Sequence, residues 1–531
     1  MAASQEIPKD GALADATASS PTSSIVLKDN THETVVSVGS DDGKTPQPSY
    51  PEGWKLWVIY VATLFTMFLT IVATAIPKIT DTFHSLDEVG WYGSAFFLTL
   101  AVFQAPWGKV YKYYPLKPAY AVSVFIFEFG SLICGVSRNS NMLIAGRVIT
   151  GCGGAGITIG TYVIIAHLVE PSKVPGFIGG IGAAFSIASV AGPLVGGALT
   201  DHASWRWCFY INLPIGGAAS VIFFLLFPRP KNTLPQATLK EKLIELDIVG
   251  TSLAVGAIVC YFLAMQWGGA TKPWSDSSVI GTLIGWILLS IAFCVVQWYL
   301  KERASIIPRI LKQRHVLGGS AFMFLRRYSR LRNCQRNSVH QIPPFYQLYL
   351  LFGASFTAIG AGLLYTLELD SYSGKYLGYQ FVVGIGNGAC QQIPLTVVQA
   401  FSKPEDLATS MSTLLFFQLL SGAMSVAAAQ SVFINRLLST VSTRLPDLDR
   451  VTIIATGATD LQRVFSPEQL PAIRASYLDG LHGAWAMAIA FSLAALLTGL
   501  TLGFKSIKKP EDKPAGDVEG QDEKVTEEKA A

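Results

Sequence analysis

Charged residues are scarce: Asp, Glu, Lys and Arg make up only 14% of the 531 residues, where a soluble domain carries roughly a quarter. Half of the chain is hydrophobic and its mean hydropathy is +0.40, so in water it would expose far too much apolar surface. Paired cysteines are lacking as well. Cys134, Cys152, Cys208, Cys260, Cys294, Cys334 and Cys390 form no C-x-x-C pair, and six lie in or beside apolar stretches. That excludes a disulfide framework or metal cluster and leaves small packing residues. A working phosphate loop is missing too. Gly151, Gly153 and Gly156 match G-x-G-x-x-G, but inside an apolar stretch rather than between a strand and a helix. Gly39 to Thr45 (GSDDGKT) is one residue short and sits in a polar tail. ATP is thereby set aside as an energy source, and any uphill transport must draw on an ion gradient. No nucleophile, metal ligands and paired carboxylates converge, so the sequence reads as neither an enzyme nor a cofactor binder. A net charge of +4 gives no reason to expect nucleic acid.

What the chain does have is long apolar runs. They fall near 56–76, 90–107, 119–137, 142–167, 176–199, 208–227, 247–266, 279–299, 345–367, 376–399, 410–433 and 484–504. Each approaches the ~20 residues that a helix needs to cross a hydrocarbon core of ~30 Å. A further run at 315–325 stops at Arg326 and Arg327. The fold expected is therefore an all-α integral membrane protein of two six-helix bundles with two extra central helices. Residues 1–53 form a disordered cytoplasmic tail, 54–230 the first bundle and 231–300 a linker with the extra spans. Residues 301–504 form the second bundle, irregular at 326–344, and 505–531 a closing tail. The first 53 residues hold no apolar run long enough for a signal core.

Basic loops set the orientation. With the N-terminus inside, Lys109, Lys112 and Lys117, then Arg229, Lys231, Lys240 and Lys242, then the Arg-rich stretch after 300, all fall inside. The loop 434–483 falls outside despite five Arg, which Asp447, Asp449, Asp460, Glu468 and Asp479 offset.

Polar residues inside the spans are the functional candidates. An Arg in mid-membrane costs ~2.5–3.5 kcal/mol on insertion scales, so Arg147 should face a partner or a watery cavity; Glu128 is the one carboxylate deep in the preceding span. The two are expected to face one interior, against the plainer alternative that Arg147 reaches the interface and Glu128 is structural. Gln104, Gln391, Gln399 and Gln418 need partners in lipid, and so either line a substrate path or bridge helices. Pro394 should break the span between Gln391 and Gln399. Gly192 and Gly196, one turn apart, invite close helix approach, and Pro193 should bend that span.

These motifs together resemble the major facilitator superfamily, specifically its fungal fourteen-span drug:proton antiporter branch, which includes aflatoxin and HC-toxin efflux carriers. The matching text is TIVATAIP at 70–77, GWYGSA at 90–95, Gln104 to Lys109, GRVITGCGGAG at 146–156, GPLVGG at 192–197 and WRWCFYINLPIG at 205–216. In the second half GLLYTL at 362–367, Gln392 to Pro394 with Gln399, and Phe416 to Gln418 match as well. The resemblance implies exchange of an amphiphilic metabolite or drug against a proton gradient, by a monomer in the plasma or vacuolar membrane, with Arg147 in proton coupling. It makes Gly192, Pro193, Gly196 and Gly197 the antiporter motif, and Gly108 and Lys117 remnants of the cytoplasmic loop motif. Siderophore carriers and a non-transporting sensor or inactive relative are the alternatives. The departures are Phe68 and Leu69 where relatives carry an Asp, Lys112 at the Asp place of the loop motif, and the unpatterned RRYSRLRNCQRNSVHQIPP at 326–344. An altered gene model explains that last segment, which replaces about two spans, more readily than adaptation does.

Overall fold

The computed structural model describes residues 54–69, 89–170, 173–227, 238–324, 346–446 and 461–501, with 79, 82, 83, 448 and 453 besides. The expected tails, the first-span string at 70–77 and the segment 326–344 lie outside the described residues. The described residues are mostly helical, and no strand occurs among them. The first half comprises α1 (Trp54–Leu69), α2 (Val89–Val102), α3 (Gln104–Tyr113), α4 (Leu116–Gly135), α5 (Ser140–Leu168), α6 (Val174–His202), α7 (Trp207–Tyr210) and α8 (Asn212–Leu226). The short α9 (Leu239–Ile244) leads to α10 (Ile248–Trp267) and α11 (Ser277–Leu300). The second half comprises α12 (Pro308–Leu311), α13 (Arg314–Phe324), α14 (Tyr346–Tyr365), α15 (Ser373–Gln391), α16 (Ile393–Phe401), α17 (Leu407–Arg444), α18 (Leu461–Val464) and α19 (Leu470–Thr501).

As far as they are described, the twelve apolar runs are largely helical, and nine helices among the described residues are long and apolar enough to cross a membrane. Lipid as the solvent explains their surfaces. On α11 the exposed side chains include Ile284, Leu288, Ile291, Val295 and Trp298, a stripe no water-facing helix could carry. The break expected at Pro394 is present, since α15 ends at Gln391 and α16 starts at Ile393 with Pro in its first turn. The helix α6, by contrast, runs unbroken through Pro193.

Glycines set how closely the first half packs. Gly151, Gly153 and Gly156 all lie within α5, where a Cβ at Gly151 would strike α2 at Phe96 and Thr99. At Gly153 it would strike the Phe127 backbone, and at Gly156 Trp107 and Ser123. The nucleotide-like string is thus a packing stripe, with neighbours on both sides held at backbone distance. The two extra helices sit at the seam between the halves, because α10 packs on both α2 and α17 and the Tyr261 hydroxyl donates to the Met424 carbonyl at 3.0 Å.

The loop 434–483 explains its mixed charge. At about 1.5 Å per residue the 38 residues of α17 run to about 57 Å, far past a ~30 Å hydrocarbon core. Its far end pairs with α19 through Arg444 and Asp479 at 2.8 Å and through a small core of Leu437, Leu438, Val441 and Ile453. Arg444 thus serves a folded extension rather than marking an inner loop.

Gly153→Val should destabilise the purified protein by about 1–3 kcal/mol or more, as overpacking does. Gly179→Ala, where a Cβ would meet nothing within 4 Å, should be neutral or stabilising. Thermal unfolding followed by tryptophan fluorescence separates the two.

Candidate functional site

The two halves meet at the lysine- and arginine-rich end, and they share one buried core there. Trp107, Tyr111, Ile157 and Tyr162 of the first half join Ile310, Leu395, Val398, Met411 and Leu414 of the second in a single cluster. The approach is closest between α3 and α17, where a Cβ on Gly108 would overlap the Ser412 side chain. Gly108, which the loop motif singled out, is therefore the point at which the halves touch backbone to side chain.

An ionic network locks this end. The Arg309 guanidinium donates to both Asp406 oxygens, at 3.0 Å and 3.1 Å, and to both Glu302 oxygens, at 2.8 Å and 3.2 Å. Those hydrogen bonds, to Asp406 first and Glu302 second, raise the Arg309 pKa above its ordinary range. From the first half, Lys109 donates to the Glu302 carbonyl at 2.7 Å and pairs with Glu245 at 3.4 Å. Lys112 lies 3.9 Å from Asp406. The residue at the Asp place of the loop motif thus has the opposite sign, and the carboxylate it needs comes from Asp406, at the start of α17. Asp406 is almost fully buried, so its charge depends on these cations.

A second knot anchors the extra helices. Asp247 is buried and left-handed, with φ 48°, a conformation Asp tolerates better than most residues. Its side chain accepts from the Gly250 amide at 2.8 Å, the Gln297 amide at 2.6 Å and the Ser305 amide at 2.9 Å. Gln297 in turn accepts from the Ile306 amide at 2.8 Å. One carboxylate so fixes the base of α10, the end of α11 and the entry to α12. Neither Asp247 nor Asp406 was singled out by the sequence. The pattern Asp-Ile-Val-Gly before an apolar run is an N-cap signal that points to the first of them.

Toward the opposite end, Arg147 is buried in α5 and donates from Nε to the Tyr92 carbonyl at 2.8 Å. Its guanidinium lies 4.5 Å from the Phe96 ring and 5.9 Å from Phe209, in favourable cation–π positions. Glu128 does not pair with it, and neither Glu128 oxygen has a hydrogen-bond partner among the described residues. The face that α4 turns to α5 carries Ser123, Phe127, Gly130 and Cys134. Glu128 follows Phe127 and so lies about 100° round the helix.

The amides divide. Gln104 is fully buried with both amide atoms unpartnered. Gln399 reaches across the halves to the Tyr162 carbonyl at 3.3 Å, while its own carbonyl is unpartnered. Gln418 also has an unpartnered carbonyl. Gln391 closes α15 half-buried, and its neighbour Gln392 is the residue that accepts from the Tyr162 hydroxyl at 3.3 Å. Within the glycine motif, Gly192 and Gly196 are buried, and the Gly196 carbonyl accepts from Thr200 at 2.6 Å. A Cβ on Gly197 would meet nothing. Lys117 joins the start of α4 to the end of α8, donating to the Phe227 carbonyl at 2.9 Å.

The model of the Major Facilitator Superfamily matches residues 56–426. The chain is 41% identical over 496 residues to the MFS-type transporter thnB of Trichoderma harzianum, covering 85% of each. It is 37% identical over 518 residues to a protein named dehydrocurvularin exporter from Alternaria cinerariae, covering 90% of this chain and 89% of that one. Among solved structures it resembles a peptide transporter, POT, in complex with alafosfalin, with a TM-score of 0.51 at 11% identity over 86% of this chain and 97% of that one.

Arg309→Ala removes the two-pronged partner of a buried carboxylate, a loss of about 1.5–3 kcal/mol for hydrogen bonds to a charged group. A thiol placed at Ser412 should then react with a water-soluble maleimide about tenfold faster or more than in the parent. An unchanged rate would show that the apolar core alone keeps this end shut.

Proposed function

The chain belongs to the Major Facilitator Superfamily, and from that premise we propose that it exports amphiphilic small molecules, of the secondary-metabolite or drug type, in exchange for protons across the plasma membrane. The observation that carries this reading is the α3–α17 seam. Two halves that share one core and an ionic lock at a single end have a contact that can open while each bundle stays intact. With the basic end inside, as the loop charges require, the closed end is the cytoplasmic one and the loading step opens it. The names of the relatives point to export, and a cytoplasmic gate is where an exported metabolite would enter.

We assign proton coupling to two ionisable groups of the first-half spans, Arg147 and Glu128. Arg147 is held among a carbonyl and two rings with no carboxylate paired to it among the described residues, so its charge is free to respond to a proton moving nearby. Glu128, half-buried with both carboxylate oxygens unpartnered among the described residues, is a carboxylate able to take up and release a proton. The two then act in succession rather than as a pair.

Expression in yeast stripped of its own efflux pumps tests the function. Retention of a neutral fluorescent dye should fall, and a protonophore should restore it. Arg147→Ala and Glu128→Gln should each cut efflux at least tenfold with the same amount of protein at the cell surface. Normal efflux in either variant would remove that residue from coupling, and efflux indifferent to the protonophore would remove the proton.

A further inference from the structure

Gln104 departs from a rule that most buried polar groups keep. A primary amide has two donors and an acceptor oxygen with two lone pairs, and buried polar atoms nearly always find partners. In a protein surrounded by lipid the need is greater, since no solvent can enter from outside. Gln104 is nevertheless 0% exposed with neither amide atom bonded. It opens α3, one turn from Gly108, on the first-half helix that packs most extensively against α17.

Unused polar capacity is also present on α17 in the other half. The hydroxyls of Thr409 and Ser410 and the Gln418 carbonyl are buried and unpartnered, along about two turns of α17 that bracket the level of Gly108. The Gln399 carbonyl is in the same condition. None of these groups carries charge. The charges nearest this seam, Lys109 and Asp406, are already paired with Glu245 and Arg309. Arg147 is engaged with Tyr92, Phe96 and Phe209, and Glu128 is on α4, away from α17.

Building on the transport reading above, we infer that Gln104 is the polar anchor of the substrate site, and that this site takes an uncharged, oxygen-bearing amphiphile. The closed seam strands the amide. When α3 and α17 part, the amide meets a carbonyl or hydroxyl of the incoming molecule, while the surrounding Ile, Leu and Met side chains take its apolar body. An amide donates and accepts, so it suits lactones, ketones and phenols alike. It offers no counter-charge, so a permanent cation entering this interior would lose its hydration and gain nothing in return.

The test uses the purified full chain and two probes, a neutral lactone dye, 7-diethylamino-4-methylcoumarin, and the cationic dye rhodamine 6G, read by tryptophan quenching and by the melting midpoint. The coumarin should bind saturably and raise the midpoint, and rhodamine 6G should not compete. Gln104→Leu should weaken coumarin binding at least tenfold while leaving the ligand-free midpoint equal or higher, because it removes a stranded amide. Equal binding of both dyes, unchanged coumarin binding in Gln104→Leu, or no saturable binding at all would overturn the inference. Binding that depends on Gln104 in a chain that exports nothing from yeast would support the site and sink the transport reading.

Discussion

Lipid offers no hydrogen bonds, so every polar group along the membrane-spanning stretches must find its partner within the protein. That constraint orders the molecule. Charges are driven to the two ends, and the helices approach through glycine rather than through polar contacts. The few polar groups left inside become conspicuous by whether they are satisfied. Arg147 is satisfied by a carbonyl and two rings, and Gln399 in part by a carbonyl across the seam. Gln104 has no partner among the described residues.

The same constraint explains why the lock lies where it does. Arg309, Asp406, Glu302, Lys109 and Lys112 can exchange partners only at an end that water reaches, where opening the seam does not leave bare ions in hydrocarbon. Lys109 and Asp406 are the deeply buried members, and Asp406 is met by a two-pronged Arg and a Lys. Its burial gives the closed state rigidity, and the half-exposed Arg309 keeps that state reversible. The extra helices share in this lock: Asp247 ties their bases together, and Glu245 and Glu302 beside them hold Lys109. A movement of the seam must therefore pull on α10 and α11 too.

Much of the fold was legible in the sequence, because a run of twenty apolar residues has few other destinies. The break at Pro394 and the crowding at the α5 glycines follow from single-residue chemistry. The lock was not legible. Its members are scattered between residues 109 and 406, and each is an ordinary loop charge until the helices bring them together. The expected Arg147–Glu128 pair failed for a simple geometric reason, since the residue facing α5 is Phe127 and Glu128 is the next one round. Lys112 stood in the sequence as a departure at the Asp place of the loop motif. In three dimensions it meets the acid that the motif appeared to lack. The amides were legible as candidates, and only the structure separates Gln104, stranded, from Gln392, already engaged with Tyr162.

The account turns on whether the cytoplasmic seam opens as a unit. The most direct measurement is the distance distribution between spin labels at Lys173→Cys and Lys403→Cys, exposed sites on opposite halves at the basic end, with the exposed Cys294 replaced. The account predicts one short distance in the resting protein and a second, longer population when Glu128→Gln mimics the protonated carboxylate or when a transported dye is added. A single unchanging distance under both conditions would contradict it.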